Sequence, residues 1–170
     1  MRKESPVRYM RPGGGRVEFG GTAWACLLGY TQLAPASKEA GGILLGRLVE
    51  GGRDVVVDEI TRPGIRDRRS RYRFWRSRHS GQRRVDRAWE ESAHTRIYLG
   101  EWHTHPQDDP FPSEVDEQDW QNVLRGATYE QEFLLFAIVG RLRMRVWEGS
   151  RSGAIQHCEP VEMASLGGSA

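Results

Sequence analysis

Two histidines and an aspartate stand at a spacing that could hold a metal ion. His103 and His105 are separated by one residue. If residues 97–105 form a strand, both side chains leave the same face, with Cα atoms about 6–7 Å apart. Asp116 follows in the predicted first turn of a helix, from which a carboxylate can return to the same point. Two imidazoles and one carboxylate leave a fourth tetrahedral position open for water, which is typical of a catalytic zinc site.

A candidate general base lies far upstream of these residues. Glu39 comes just before the pair Gly41-Gly42 and an apolar run that predicts a buried strand. An acid at that point can lean into a cleft and take a proton from water. Each fragment also has a plainer interpretation. His-x-His on a strand is often surface histidine, and Ser113 with Asp116 is equally typical of a helix N-cap with an acid in the first turn.

The combination resembles a known family. Glu39 followed by His103-x-His105-x7-Ser113-x2-Asp116 is similar to the JAMM/MPN+ signature of the JAB/MPN zinc metalloproteases, without departure in residue type or spacing. The flanking runs Gly41–Gly46 and Gly100–Trp102 are also typical of that family. The resemblance covers about residues 20–150, in the family's order of elements.

The resemblance implies both chemistry and ligands. His103, His105 and Asp116 would hold one Zn²⁺ per chain, and Glu39 would pass a proton from the activated water to the leaving amine. Ser113 would donate a hydrogen bond to the tetrahedral oxyanion. The implied activity is an isopeptidase or peptidase that cleaves after the C-terminal glycine of a ubiquitin-like protein or of another conjugated protein.

The short chain and its arginine-rich stretch resemble the bacterial JAB deconjugases of antiphage operons, such as CBASS and ubiquitination-like systems. Their operons also encode E1/E2-like proteins, which are candidate partners here. Two alternatives stay open: a non-catalytic MPN scaffold that binds other proteins, and a RadC-like protein associated with nucleic acid. A scaffold usually lacks a metal ligand, whereas RadC-type chains carry an N-terminal helix-hairpin-helix region for which the 38 residues before Glu39 leave no room.

The elements that must position these residues can be predicted from periodicity and turn signals. These signals predict an α/β fold, with one mixed, mostly antiparallel sheet flanked by helices. The resemblance implies that this fold is a single MPN/JAB (cytidine-deaminase-like) domain. In chain order we expect a helix from Thr22, strands over 43–49, 54–60 and 72–75, a helix over 80–92, a strand over 96–102, a helix over 113–125, and strands over 132–139 and 142–148, with one more short strand after Gly149. We expect a flexible lead over residues 1–16, the domain over 17–160 and a loose tail over 161–170.

Two details of the site can also be predicted. Trp102 alternates with His103, so it should face away from the metal and pack beneath the ligand strand. The segment Pro110-Phe111-Pro112 could form one wall of a substrate groove, or could be a spacer loop.

Charge is distributed unevenly along the chain. The 170 residues include 23 arginines but only two lysines, and the net charge is +2. Eleven of the arginines fall between Arg62 and Arg87 with only two acids, Asp67 and Asp86, whereas acids cluster between Asp108 and Asp119. The arginine-rich stretch suits a solvated helix face, a surface that docks an acidic protein, or nucleic acid, and we expect nucleic acid to be the least favoured partner.

Composition excludes several classes. Two isolated cysteines, Cys26 and Cys158, cannot form a disulfide framework or a four-cysteine zinc site, and they fit a reducing cytoplasm. No apolar run is long enough for a membrane span, and the first residues have no apolar core of a signal peptide. We therefore expect a cytoplasmic protein with no membrane partner.

Overall fold

The computed structural model describes residues 7–161, apart from the side chains of Arg78 and His79. These residues form ten strands and three helices. The elements are β1 (Val7–Met10), β2 (Arg16–Phe19), α1 (Gly21–Leu28), β3 (Gly41–Leu48), β4 (Val55–Ile60), β5 (Arg68–Arg69), β6 (Phe74–Trp75), α2 (Arg78–Glu91), β7 (Ile97–Thr104), α3 (Glu114–Gly126), β8 (Phe133–Val139), β9 (Met144–Ser150) and β10 (Ile155–Pro160). No helix among the described residues is both long and apolar enough to cross a membrane.

The main sheet closes on itself, in the order β1-β10-β9-β8-β7-β3-β4-β2. It is mixed, because β2 pairs with β4 and β7 pairs with β8 in parallel, while the other neighbours are antiparallel. The prediction of a mixed, mostly antiparallel sheet is therefore confirmed, and the structure differs from the predicted sheet flanked by helices in that the sheet closes into a barrel. A closed sheet of eight strands has no free edge to protect, and its interior is filled by side chains.

Closure depends on the start of the chain, which the sequence predicted as a flexible lead over residues 1–16. That prediction does not hold for β1 and the turn after it. β1 pairs with β2 on one side and with β10 on the other. Tyr9 is buried, and its hydroxyl donates a hydrogen bond to the carbonyl of Met144, 3.0 Å away. Residues 1–6 and the tail after residue 161 lie outside the described residues.

The neighbours β3, β7 and β8 form the part of the barrel that carries the site. β3 and β7 are antiparallel, and Gly41 is the register partner of His103. All seven residues of β8, which lies beside β7, are buried. Gly100 has a φ of 146°, and a Cβ there would lie 1.8 Å from the Leu135 carbonyl oxygen, so only glycine fits where these strands meet.

Trp102 anchors the ligand strand from below, as predicted. It is 1% exposed and belongs to the core of the barrel. Its indole nitrogen donates to the Thr61 carbonyl over 3.1 Å, and its ring lies 5.5 Å from that of Tyr30. Because Trp102 fills the interior, the adjacent His103 side chain is directed to the other face of the strand.

An insertion between β4 and β7, residues 61–96, contains most of the arginines. It consists of a ribbon of two short strands, β5 and β6, followed by α2. Ala88 of α2 is buried against Ile43 and Leu45 of β3, which attaches the helix to the barrel. The predicted short strand and helix in this stretch are confirmed, and we call residues 61–96 the arginine-rich insertion.

Candidate metal centre

The two histidines converge at the end of β7. His103 and His105 flank Thr104, and residues two positions apart on a strand share a face. Both side chains therefore extend toward the start of α3. Their Nε2 atoms lie 3.1 Å apart, and the side chains are 12% and 10% exposed. The prediction that both imidazoles share one face is borne out by this geometry.

Asp116 is brought to the same point by the way α3 begins. Ser113 is the N-cap, and its hydroxyl accepts a hydrogen bond from the Asp116 amide over 3.1 Å. The Asp116 carboxylate in turn accepts from the Ser113 amide at 2.7 Å and the Ser113 hydroxyl at 2.8 Å, which completes a capping box. Asp116 Oδ1 then lies 3.2 Å from His103 Nε2, and Oδ2 lies 3.1 Å from His105 Nε2.

These three side chains fit a zinc ion. Ligand atoms 2.0–2.1 Å from a tetrahedral ion are about 3.4 Å from one another, and the 3.1 Å between the two Nε2 atoms is close to this distance. Asp116 places a different carboxylate oxygen 3.1–3.2 Å from each histidine. These three residues form the one such cluster among the described residues. A carboxylate and two imidazole nitrogens directed at one point, with a fourth direction free, make the donor set of an open zinc site.

Gln107 supports one of the ligands from behind. Its side-chain carbonyl oxygen lies 3.3 Å from His105 Nδ1. A proton on Nδ1 that is donated to this oxygen leaves the Nε2 lone pair free for a metal. The sequence analysis missed Gln107, although its position two residues after His105 in the loop was a usable signal.

The pKa values of two ligands reflect their proximity. Burial alone would raise the pKa of Asp116, but hydrogen bonds from His103 and His105 outweigh burial and hold it well below its usual range. Burial lowers and the Asp116 carboxylate raises the pKa of His105, and the net result is an increase. The carboxylate is therefore ionised at neutral pH and available as a ligand.

Glu39 lies beside the cluster without joining it. It is 4% exposed, and its Oε1 is 3.9 Å from His105 Nε2. The pKa of Glu39 is raised to about 7, chiefly by burial and also by the nearby Asp116, against the opposing effects of His105 and Arg73. A carboxyl group with a pKa near neutrality can both accept and return a proton.

The main chain of Glu39 is held on both sides by the arginine-rich insertion. Its amide donates to the Ser70 carbonyl over 2.7 Å, and its carbonyl accepts from Arg69 Nε, also over 2.7 Å. A second Arg69 nitrogen donates to the Lys38 carbonyl over 3.4 Å. These contacts between distant segments could not be predicted from the sequence.

Ser113 is exposed, and its hydroxyl donates to Asp116 in this structure. Ser113, His103 and Asp116 all line one cleft, which is described next. The predicted role of Ser113 as an oxyanion donor stays a prediction, whereas its role as the helix cap is confirmed by the capping box.

A cleft of about 830 Å³ leads to the cluster, between α3 and the arginine-rich insertion. Glu39 and His103 lie at one end; Tyr72 to Arg76 form one wall, and Val115, Asp119 and Val123 of α3 contribute to the opposite wall. The segment 110–112 does not line this cleft. Instead, the Arg145 guanidinium lies 4.4 Å above the Phe111 ring, and Arg145 also pairs with Asp109 at 2.6 Å.

Glu101 is a further residue that sequence reasoning missed. It lies two residues before His103 on β7 and therefore shares its face. Arg76 of the insertion forms an ion pair with it, and the Tyr98 hydroxyl donates to it over 3.4 Å. This pair attaches the insertion to the ligand strand, and the i−2 spacing from His103 was the available signal.

Among the described side chains, the other histidines and the cysteines do not join the site. His94 stacks on Trp89, His157 lies 3.2 Å from Glu159, and the His79 side chain lies outside the described part of the chain. Cys26 is partly buried, and Cys158 is fully buried in the barrel core.

Comparisons with known proteins agree with this geometry. The family described as prokaryotic homologs of the JAB domain matches residues 28–149. A Vibrio cholerae protein named CD-NTase/cGAS isopeptidase is 44% identical over 115 residues, which cover 68% of this chain and 70% of that protein. A Pseudomonas aeruginosa protein of the same name is 36% identical over 135 residues, or 78% of this chain and 82% of the relative.

Among solved structures, the solution structure of a protein from Desulfitobacterium hafniense is similar in fold. The TM-score is 0.57 at 18% sequence identity, and the match covers 83% of this chain and 88% of the other.

Proposed function

This chain belongs to the family of prokaryotic JAB-domain homologs, and from that premise we propose that it is a zinc-dependent isopeptidase that removes a conjugated protein from its target. The observation that carries the proposal is the convergence of His103, His105 and Asp116, with separations of 3.1–3.2 Å, beside the buried acid Glu39. A zinc ion bound there would supply Lewis-acid activation of water and of the scissile carbonyl.

The chain's own residues would manage the protons. Glu39 accepts a proton from the attacking water as the water oxygen bonds to the carbonyl carbon. It then gives that proton to the leaving amine nitrogen as the C–N bond breaks, so the products are a carboxylate and a free amine. A pKa near 7 suits both transfers, because neither protonation state is strongly favoured at neutral pH.

Ser113 would stabilise the negative charge that develops on the carbonyl oxygen. Its hydroxyl is exposed to the cleft and fixed at the N-cap of α3. In the reaction we propose that this hydroxyl turns from Asp116 to donate to the oxyanion. Donors placed where charge develops commonly contribute the largest share of a rate enhancement.

The substrate we propose is a conjugate of a CD-NTase, following the names of the relatives from Vibrio cholerae and Pseudomonas aeruginosa. The enzyme would then act in the cytoplasm, in a CBASS-type antiphage operon with E1/E2-like proteins. A ubiquitin-like modifier is the runner-up substrate. In both, the bond to be cleaved would be an isopeptide bond at the end of a protein's C-terminal segment.

Two other functions have less support. A non-catalytic scaffold would not need three metal-type ligands and a buried acid at one end of a cleft. A RadC-like association with nucleic acid would depend on the arginine-rich insertion alone, whereas the convergent side chains lie outside that insertion.

The proposal is tested by incubating the purified chain with a CD-NTase joined through its C-terminal carboxyl to a lysine of a reporter protein. We expect the wild type to release both proteins intact, with the new C-terminus identified by mass spectrometry. Glu39→Gln preserves the shape of the side chain but removes the proton acceptor, so it should retain zinc and lose cleavage by at least 100-fold. Cleavage by Glu39→Gln at the wild-type rate would overturn the assignment of the base, and absence of wild-type cleavage from zinc-loaded protein would overturn the substrate.

A further inference from the structure

The ribbon formed by β5 and β6 has two faces with different contacts. Strand alternation directs neighbouring residues to opposite faces, and Arg68 pairs with Trp75 while Arg69 pairs with Phe74. On the inner face, Arg69 donates to the Glu39 carbonyl and Phe74 packs against Gly41. The outer face presents the other pair, Arg68 and Trp75, to a separate pocket.

This second pocket has a volume of about 440 Å³ and is lined by Arg66, Arg68, Trp75, Arg76 and Ser77. We call it the basic pocket. Three of its five lining residues are arginines. The guanidinium of a fourth, Arg73, lies 4.7 Å above the Trp75 ring.

Two of the three arginines that line the basic pocket form no ion pair among the described residues. Arg76 is paired with Glu101. The Asp67 carboxylate accepts from the amides of Gly64 and Ser77 over 2.7 Å each, keeps its negative charge and acts on Arg76. Among the residues that the structure describes, neither Arg66 nor Arg68 forms an ion pair, and both are exposed.

The basic pocket adjoins the cleft that leads to His103, His105 and Asp116, because Trp75 and Arg76 line both cavities. A protein whose terminal segment enters the cleft can therefore place neighbouring residues beside Arg66 and Arg68. Their guanidinium groups are suited to paired hydrogen bonds with carboxylates.

We propose that the basic pocket binds carboxylates of an acidic segment on the protein whose terminus occupies the cleft. This inference rests on the proposed isopeptidase function and extends it to how the substrate is selected. An acidic protein is favoured over single-stranded nucleic acid, because the lining offers mainly guanidinium groups, whereas stacking of bases uses aromatic faces. Trp75 is the one aromatic residue that lines the basic pocket, and Arg73 already covers one face of its ring.

The test compares two double variants with the same change in charge. Arg66→Glu with Arg68→Glu reverses the basic pocket, whereas Arg83→Glu with Arg87→Glu reverses two exposed arginines of α2 that line neither cavity. With the isopeptide-linked conjugate as substrate, we expect the pocket variant to raise KM at least tenfold with kcat unchanged. The control should stay within twofold of the wild type. Equal KM values for the two variants would overturn the proposal.

A binding measurement decides the question independently of catalysis. Fluorescein-labelled octaglutamate and an eight-nucleotide oligothymidylate are titrated with the full chain, and anisotropy is recorded at low and moderate salt. We expect octaglutamate to bind the wild type and to lose at least tenfold in affinity in the pocket variant only. Tighter binding of the oligothymidylate, or an equal loss in the α2 control, would overturn the acidic-segment proposal in favour of nucleic acid or of non-specific charge.

The two proposals can fail separately. If the zinc-loaded wild type does not cleave the conjugate but octaglutamate binding still depends on Arg66 and Arg68, the proposed substrate is wrong and the basic pocket stands. If the wild type cleaves and the pocket variant has an unchanged KM, the isopeptidase stands and the role of the basic pocket in substrate selection is wrong.

Discussion

Ser113 and Asp116 exchange hydrogen bonds in both directions, so one pair of side chains starts α3 and orients a metal-type ligand. The helix cap and the ligand set are therefore coupled. A change at Ser113 should affect both the stability of the fold and the affinity for zinc, although Ser113 is not itself a ligand.

We predict that Ser113→Ala weakens zinc binding about 10- to 100-fold, because an outer partner of the ligand carboxylate is lost. The free energy of unfolding should fall by about 1 kcal/mol with the loss of the cap. Competition against a chromogenic chelator measures the first quantity and urea denaturation the second. Ser113→Thr keeps a capping hydroxyl and serves as the control; a Ser113→Ala protein with unchanged zinc affinity would show that the capping box does not orient Asp116.

At the scale of elements, the arginine-rich insertion does more than cover the site. Arg69 donates to the Glu39 carbonyl, and the Ser70 carbonyl accepts from the Glu39 amide. Arg76 of the same insertion pairs with Glu101, two residues before His103. The candidate base and the ligand strand are both held by the same segment. We therefore expect Arg69 to be a positioning residue for Glu39.

We predict that Arg69→Gln lowers kcat about tenfold while KM and the zinc content stay at wild-type values, since the guanidinium contacts the backbone of Glu39 and no ligand. Arg69→Lys, which retains a positive donor, should recover part of the loss. Arg83→Gln, on α2 of the same insertion, is the matched control and should match the wild type. A fall in zinc content or an equal fall in the control would contradict a positioning role.

The elements also show which features a sequence can predict. The metal-type cluster depends on short-range patterns, namely a two-residue alternation on β7 and the four-residue start of α3, so His103, His105 and Asp116 could be selected before the fold was known. The contacts of Glu39 with Arg69 and Ser70 join segments 30 residues apart in the chain and have no local signature. The same holds for the Arg76–Glu101 pair.

For the whole molecule, closure of the barrel is the feature that sequence patterns missed. β1 has four residues and lies in the segment 1–16, which is rich in arginine and contains three consecutive glycines, so it resembles a loose lead until its partners β2 and β10 are known. Its role is fixed by long-range pairing across the ends of the domain. The tight burial of Tyr9 and Cys158 is the physical consequence of that pairing.

The accessibility of the Cys158 thiol is a measure of whether the barrel is closed. Cys158 is fully buried, and burial, with a further contribution from Glu148, raises the pKa of its thiol to about 12. A thiol whose pKa is raised in the folded state favours folding below its unfolded pKa of 9.0, and this contribution is lost as the pH rises toward 12. We predict that iodoacetamide leaves Cys158 unmodified at pH 8 until the protein is denatured, as measured by peptide mass spectrometry. Rapid modification of Cys158 in the native protein would mean that β10 does not pair stably with β1 and β9 in the barrel.

Charge is also organised at the scale of the molecule. The arginine-rich insertion lies along one wall of the cleft and the acidic start of α3 along the other, and the metal-type cluster lies between them. This arrangement supports the proposed isopeptidase only if His103, His105 and Asp116 bind zinc.

The most direct test is therefore the zinc content per chain, measured by elemental mass spectrometry on protein purified without chelators or a histidine tag. We expect about one zinc per wild-type chain, the same in Glu39→Gln, and none in Asp116→Ala. Wild-type protein without zinc, even after zinc is added back, or an Asp116→Ala protein that retains it, would contradict a site built from His103, His105 and Asp116.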